Sequence, residues 1–184
     1  MIIAVCGQKG SGKSTVARML QIETKFEVRQ FAETIKRVVC TLTGCSMDNL
    51  EDYNFKENEI VPHHLHPYCG EGKLPTYRAL LQGIGDLFRS KNPDVFIHCT
   101  LRNAPRNLII SDCRLLNEAR LVKEQGGIVV LIERDLPKGK DHHKSEMQVL
   151  DITPDYIIKN DGDLKVLRSK VERIISKLRK YEGL

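Results

Sequence analysis

The sequence opens with MIIAVCGQKGSGKSTVARML, residues 1–20. Met1–Cys6 is a short, continuous apolar run, which is typical of a strand buried on both faces of a parallel sheet. Gly7–Thr15, GQKGSGKST, fits the pattern GxxxxGK[ST] in full. Apolar residues at helical spacing follow at Val16, Ala17 and Leu20. The stretch therefore predicts a strand, a glycine-rich loop and a helix, in that order.

The chemistry of this loop points to a phosphorylated ligand. Glycines let successive backbone N–H groups curl around phosphate oxygens, and the positive end of the following helix adds to the attraction. Lys13 is predicted to contact the β- and γ-phosphates, and the Ser14 hydroxyl is predicted to be a Mg²⁺ ligand. The predicted ligand is a nucleoside triphosphate with Mg²⁺. The predicted binding residues are Gly7, Lys9, Gly10, Ser11, Gly12, Lys13, Ser14 and Thr15.

The rest of the chain alternates between apolar runs and helical spacing, which predicts the α/β class. Further strands are predicted at 107–111, 128–132 and 156–159, and further helices at about 32–43, 77–89, 115–125 and 164–180. The segment 46–75, rich in acidic residues, prolines and histidines, predicts an irregular or short-helix excursion on the surface. A length of 184 residues favours a single domain over 1–184.

Composition excludes several functional classes. Apolar residues make up 41% of the chain, no apolar run is long enough to span a bilayer, and no signal peptide is recognised. The six cysteines include no CxxC pair, which favours reduced thiols in a cytoplasmic protein. The net charge of +5 is concentrated on the last helix, which we interpret as a solvated face and not as a nucleic-acid site.

Among the classes of protein that bind a nucleoside triphosphate with such a loop, other residues favour a small kinase. Asn160–Asp163, NDGD, is not the NKxD element of a guanine-specific GTPase. Asp112 follows the predicted strand at 107–111, where it would hold a water ligand of Mg²⁺ or, alternatively, cap the next helix. Arg114, two residues later, is predicted to reach phosphate oxygens.

Phosphoryl transfer to a phosphorylated acceptor needs several cations around the reacting groups. Arg78 is predicted to bind the acceptor phosphate, while Lys36 and Arg89 are candidates either for the same role or for surface positions. Arg134 opens a basic loop, and 134–146 is predicted to be a lid that excludes water. The histidine-rich stretch HHLHPYC at 63–69 lacks a standard zinc spacing and is interpreted as a polar loop.

These motifs together resemble the deoxynucleoside monophosphate kinases of the bacteriophage type, within the P-loop nucleoside monophosphate kinase group. The resemblance is carried by the following segments: GQKGSGKST at 7–15, FAETIK at 31–36, YRALLQGIGDLFRSKNPDVF at 77–96, SDCRLLNEARLVKEQGG at 111–127, ERDLPKGKDHHKSE at 133–146 and DYIIKNDGDLKVL at 155–167. It implies a three-layer α/β/α fold with a five-stranded parallel sheet, an acceptor-binding insertion at 46–75 and a lid.

The resemblance also implies transfer of the γ-phosphate of ATP to a deoxynucleoside monophosphate. Arg78 would hold the acceptor phosphate, Asp112 and Arg114 would act as a strand-end pair, and Asn160 with Gly162 would line the adenine pocket. A monomer or homodimer acting on small molecules is expected. Two alternatives stay open: the chain also resembles animal-type phosphomevalonate kinases, and a non-catalytic ATP-binding module would carry the same loop.

Overall fold

A five-stranded, entirely parallel sheet forms the centre of the structure, a computed structural model that describes residues 1–135 and 148–181. The strands lie in the order β2-β3-β1-β4-β5. Their bounds are β1 Ile2–Cys6, β2 Glu27–Arg29, β3 Leu108–Cys113, β4 Ile128–Glu133 and β5 Tyr156–Lys159. The sheet confirms the predicted α/β class.

Helices cover both faces of this sheet. Ile3 and Val5 of β1 pack in one core with α1 (Lys13–Thr24) and the C-terminal helix α8 (Leu164–Tyr181). Side chains alternate between the two faces of a strand, so Ile2 points the other way. There, a Cβ on Gly127 would meet both Ile2 and Val122 of α7 (Leu116–Glu124). The layers are therefore α1 with α8, the sheet, and α7.

Three elements differ from the sequence-based expectations. The strand β2, Glu-Val-Arg, was missed because it is short and polar, and only its pairing with β3 defines it. The helix α6 (Val95–Leu101) was missed as well. The strand predicted at 107–111 extends to Cys113, so Asp112 lies within β3 and not beyond its end.

Backbone contacts divide the chain into two compact units, one made of Met1–Phe31 with Leu101–Leu184 and the other of Ala32–Thr100. The second unit has its own core, with Val39, Leu50, Leu80 and Phe96 among its buried members. Its helices are α2 Glu33–Thr43, α3 Met47–Glu51, α4 Tyr53–Asn58, a 3₁₀ helix His63–Cys69, α5 Tyr77–Lys91 and most of α6. The expectation of a single domain over 1–184 stays a prediction.

The segment 46–75 forms the short helices that its composition indicated, and it lies within the second unit. The prediction of an excursion on the surface is wrong, because Leu50, Val61, Leu65 and Cys69 are buried in the core of that unit. The 3₁₀ helix packs closely on α5 at Gly83, where a Cβ would stand 1.7 Å from the Tyr68 carbonyl oxygen. The predicted lid at 134–146 falls, apart from its first two residues, outside the described part of the chain. No helix in the described ranges is both long and apolar enough to cross a membrane.

We expect Gly83→Ala to destabilise the second unit. The added methyl group would collide with backbone at Tyr68, and overpacking of this kind costs about 1–3 kcal/mol, more than the roughly 1 kcal/mol that alanine gains over glycine in a helix. Thermal and urea unfolding of both proteins would measure the change.

Gly85→Ala is the matched control for this substitution. Its Cβ would come closest to the Arg89 guanidinium at 2.7 Å, the movable end of a long side chain, with the Ile35 Cδ1 atom at 3.4 Å. We expect this variant to unfold at or above the wild-type temperature. Equal stability of the two alanine variants would contradict the close approach at Gly83.

Candidate active site

The loop between β1 and α1 has positive φ angles at two positions that only glycine adopts readily. Gly7 has a φ of 144° and Gly12 a φ of 103°. A Cβ on Gly7 would stand 2.6 Å from the carbonyl oxygen of Ile132 in β4. The loop therefore turns directly over the neighbouring strand, with no room for a side chain at its first residue.

Lys13 reaches back across this loop from the first residue of α1. The residue is only 8% exposed, and its Nζ donates to the carbonyl oxygens of Gly7 at 2.8 Å and Gln8 at 2.7 Å. These acceptors are neutral, so the ammonium charge is positioned at the loop without being cancelled by them. A phosphate oxygen is the kind of ligand that this charge would attract.

The Ser11 hydroxyl provides a test of whether the loop suits a phosphate. It is buried, with 1% of the residue exposed, and its Oγ finds no hydrogen-bond partner among the described residues. Buried polar atoms without partners are uncommon in proteins. The loop thus presents an unsatisfied donor beside Lys13, and both groups fit a bound phosphate.

The residues that follow β4 and β5 contribute polar groups next to the same loop. Asn160, directly after β5, donates from Nδ2 to the Ser11 carbonyl oxygen at 2.8 Å. Arg134, directly after β4, brings Nη1 to 3.5 Å from the Gly10 carbonyl oxygen. The structure therefore places both residues beside the loop, and their roles in binding ATP stay predictions. Gly162 follows Asn160 and is exposed.

Residues suited to Mg²⁺ lie on α1 and β3. Ser14 and Thr15 in the first turn of α1 are exposed, so the Ser14 hydroxyl is accessible to a hydrated cation. Asp112 lies on the strand that pairs with β1, and its Oδ1 accepts from the Phe31 backbone N–H at 2.7 Å. A hydroxyl and a carboxylate are ligands that Mg²⁺ prefers, which makes this donor set chemically suitable.

Glu118 is a residue of the site that no sequence motif indicated. Its carboxylate is 4% exposed and accepts from the backbone N–H groups of Arg114 at 2.7 Å and Leu115 at 3.0 Å. It thus caps the start of α7, which is one of the two roles predicted for Asp112. A glutamate three residues into a predicted helix is the signal that could have identified it. The cap fixes the backbone on which Arg114 is carried.

The predicted acceptor residues all belong to the second unit, where two of them share a cluster. Lys36 Nζ pairs with Glu51 Oε1 at 2.5 Å, and Arg78 Nε pairs with Glu57 Oε1 at 3.0 Å. Lys56, which no motif indicated, donates from Nζ to the Glu51 carbonyl oxygen at 3.3 Å. We call these five residues the charged cluster.

Arg89 lies apart from the charged cluster on α5. It follows Arg78 by eleven positions, about 16 Å along a helix. Its Nη1 is 3.8 Å from Asp86 Oδ1, and its guanidinium carbon is 5.0 Å from the centre of the Phe96 ring. Of the two further candidates for the acceptor phosphate, Lys36 lies in the charged cluster and Arg89 does not.

The histidine-rich stretch contributes contacts to its own segment. His66 Nε2 lies 3.0 Å from the Val61 carbonyl oxygen, and the rings of His63 and His66 are 4.9 Å apart. Within the described ranges, no group of three His, Cys, Asp or Glu side chains is arranged to hold a metal ion.

The strand below the loop carries a thiol that stays protonated. Burial raises the pKa of Cys6 to about 12, although the Lys13 ammonium acts in the opposite direction. Burial also raises the pKa of Cys113, which is opposite Cys6 in the pairing of β1 with β3. A protonated thiol is a poor nucleophile, so neither cysteine is suited to covalent catalysis.

We expect a thiol-reactive disulfide reagent at pH 8 to label the exposed Cys99 first. Cys6 and Cys113 should react at least about 100-fold more slowly, because they are buried and protonated. Peptide mass spectrometry at successive times would give the rates, with denatured protein as the control. Labelling of Cys6 at the rate of Cys99 would contradict the burial of β1.

Comparisons with known proteins find similarity between this chain and kinases. Residues 91–171 match the sequence model of the deoxynucleotide monophosphate kinase family, a segment that begins after the phosphate loop. A protein of Acanthamoeba polyphaga mimivirus, provisionally named a deoxynucleotide monophosphate kinase, is 28% identical over 189 residues, covering 93% of this chain and 94% of the relative.

Solved structures with similar coordinates include shikimate kinase from Aquifex aeolicus, with a TM-score of 0.49, 16% identity and coverage of 98% of this chain and 97% of the other. Dephospho-CoA kinase from Campylobacter jejuni has a TM-score of 0.48 and 13% identity, with 97% of each chain covered. The two sequence matches confirm the resemblance that the motifs indicated. The chain is thus similar to deoxynucleotide monophosphate kinases along nearly its whole length, which supports a phosphotransferase of the P-loop kinase type.

Proposed function

We propose that the protein transfers the γ-phosphate of ATP to the 5′-phosphate of a deoxynucleoside monophosphate, giving ADP and a deoxynucleoside diphosphate. The observation that carries the proposal is the glycine-rich loop at 7–15. This loop holds the Lys13 ammonium and a Ser11 hydroxyl that has no hydrogen-bond partner among the described residues. The similarity to deoxynucleotide monophosphate kinases supports the choice of acceptor.

In the proposed donor site, the loop N–H groups and Lys13 bind the phosphates of ATP. Lys13 and Arg134 stabilise the charge that develops on the transferred group and on the departing ADP. Asn160 holds the loop through the Ser11 carbonyl, and with Gly162 it would line the adenine pocket, as the family resemblance implies.

Ser14 and Asp112 would hold Mg²⁺, directly or through water. The ion, when bound, neutralises charge on the β- and γ-phosphates. The hydrogen bond from the Phe31 N–H, which fixes one oxygen of the Asp112 carboxylate, supports this role. Arg114, carried on the backbone that Glu118 caps, would contribute a further guanidinium to the phosphates.

In the proposed acceptor site, Arg78 and Lys36 bind the acceptor phosphate and Arg89 is a third candidate. An oxygen of that phosphate attacks the γ-phosphorus, the bond to the β–γ bridging oxygen breaks, and ADP leaves with the electron pair. The reaction needs positioning and charge neutralisation and forms no covalent enzyme intermediate. We further infer a cytoplasmic enzyme that acts on small molecules as a monomer or homodimer.

The deciding experiment measures ADP release with Mg-ATP against a panel of deoxynucleoside monophosphates, ribonucleoside monophosphates and phosphomevalonate. Turnover on at least one deoxynucleoside monophosphate would support the proposal and would identify the accepted base. Turnover on phosphomevalonate alone would assign the activity to the other kinase family. ATP binding without any turnover would favour the non-catalytic module.

We expect Lys13→Ala to lower kcat by about 10²–10³-fold, since removing one preorganised group that stabilises transition-state charge has an effect of this size. The same ADP-release assay at saturating substrates would measure it. Lys177→Ala, which changes an exposed lysine of α8, is the control and should keep wild-type kcat. Near-wild-type kcat in the Lys13 variant would falsify the assignment of the loop.

We expect Arg78→Ala to raise the KM for the acceptor about tenfold or more, with little change in the KM for ATP, because a charge-assisted hydrogen bond to the acceptor is lost. Arg37→Ala is the control, since Arg37 forms an exposed pair with Glu33 that contributes little. A rise in the KM for ATP instead would move Arg78 to the donor site.

A further inference from the structure

The charged cluster contains one cation, Lys56, that belongs to no motif of the sequence. Lys56 lies in α4, next to Glu57, which pairs with Arg78. Its Nζ donates to the backbone carbonyl of Glu51, whose carboxylate pairs with Lys36. The Lys56 ammonium therefore contacts the residue that pairs with Lys36, and Lys56 is the sequence neighbour of the residue that pairs with Arg78.

The position of Lys56 is fixed although α4 has only six residues. The Asp52 carboxylate caps the helix by accepting from the Phe55 N–H at 2.6 Å. The ring of Phe55 packs on the ring of Tyr77, with centroids 4.7 Å apart, and Tyr77 is buried at the start of α5. The residues that directly precede Lys56 and Arg78 are thus held together by an aromatic contact, and the cap stabilises the helix that carries Lys56.

Positive charge exceeds negative charge in the cluster. Its five residues carry three cations and two carboxylates: Lys36 pairs with Glu51, Arg78 pairs with Glu57, and Lys56 bonds to a neutral backbone carbonyl. The Lys36 side chain is only 10% exposed. Burial lowers the pKa of Lys56, and Arg78 and Lys36 lower it further against the opposite effect of Glu51 and Glu57. A lysine that is repelled by two neighbouring cations would be stabilised by an added anion.

We propose that Lys56 is a direct ligand of the acceptor's 5′-phosphate, together with Lys36 and Arg78, and that Glu57 is an internal counter-ion which the phosphate displaces from Arg78. This inference rests on the proposed function for the identity of the phosphate monoester. It adds a residue and a competing carboxylate that neither the motifs nor the family resemblance indicated.

A phosphate is a better partner for these cations than the carboxylates that hold them. It carries more charge at neutral pH, and its three terminal oxygens can accept from several donors at once. The Glu57 side chain is 27% exposed and the Glu51 side chain 54%, so each carboxylate has access to water once it is displaced. The ion pairs hold the cations in position before the acceptor arrives.

Lys56→Met tests the direct contact, because methionine keeps much of the length of the side chain and removes its charge. Binding of a deoxynucleoside monophosphate and of inorganic phosphate is measured by calorimetry without ATP, so that no turnover is needed. We expect both to bind about tenfold more weakly. Lys73→Met is the matched control, since Lys73 is exposed in the same unit and donates to the neutral Gln82; it should bind as wild type does.

Glu57→Gln tests the displacement and separates it from a structural role. Loss of the competing charge should tighten phosphate binding, by about threefold. If Glu57 only stabilised the fold, this variant would melt at a lower temperature and would not gain affinity. Wild-type affinity in Lys56→Met, or unchanged or weaker affinity in Glu57→Gln, would overturn the inference.

Failure of this inference is distinguishable from failure of the proposed function. If no deoxynucleoside monophosphate is phosphorylated but inorganic phosphate binding still depends on Lys56 and Glu57, the site stands and its ligand is another phosphate monoester. If deoxynucleoside monophosphates are phosphorylated with the same acceptor KM in wild type and Lys56→Met, the activity stands and the role of Lys56 is wrong.

Discussion

The close approach of the Gly7 backbone to β4 is the constraint on which the first unit depends. Because Gly7 has no Cβ, the chain can leave β1 close to the Ile132 carbonyl. A Cβ at this position would stand only 2.6 Å from the carbonyl oxygen. This turn starts α1 at Lys13, whose ammonium then returns to the loop carbonyls. Asn160 and Arg134 reach the same loop because parallel strands end at one edge of the sheet.

The second unit depends on a comparable approach, at Gly83, which lets the 3₁₀ helix lie against α5. The core beneath it combines residues from α2, α3, the 3₁₀ helix and α5, so short elements that would be unstable alone are held by shared packing. That packing positions the charged cluster. Lys36 comes from α2, Glu51 from α3, Lys56 and Glu57 from α4, and Arg78 from α5.

Local signals were sufficient for the phosphate loop and for most of the longer strands and helices. The apolar runs of β1 and β4, the motif at 7–15 and the amphipathic α5 and α8 are all visible in short windows of sequence. The strand β2 and the extension of β3 to Cys113 were not, because pairing between distant segments defines them. The same limit applies to the functional residues. Sheet register places Asp112 beside β1, and packing of α4 on α5 brings together the helices that carry Lys56 and Arg78.

The pairing in the charged cluster follows from the cost of burying a cation. Lys36, with 10% of its side chain exposed, would be strongly destabilised without an anion, and Glu51 supplies one. In an anion site built only from cations, the cations would repel one another when no anion is bound. A site that also contains carboxylates is stable both with and without the anion. The carboxylates weaken binding by the free energy needed to displace them, which favours a doubly charged phosphate over singly charged metabolites. A more exposed carboxylate is displaced by phosphate at a lower free-energy cost, so Glu51 would leave Lys36 more readily than Glu57 leaves Arg78. Displacement of Glu57 from Arg78 would therefore determine how strongly the site selects phosphate over singly charged anions.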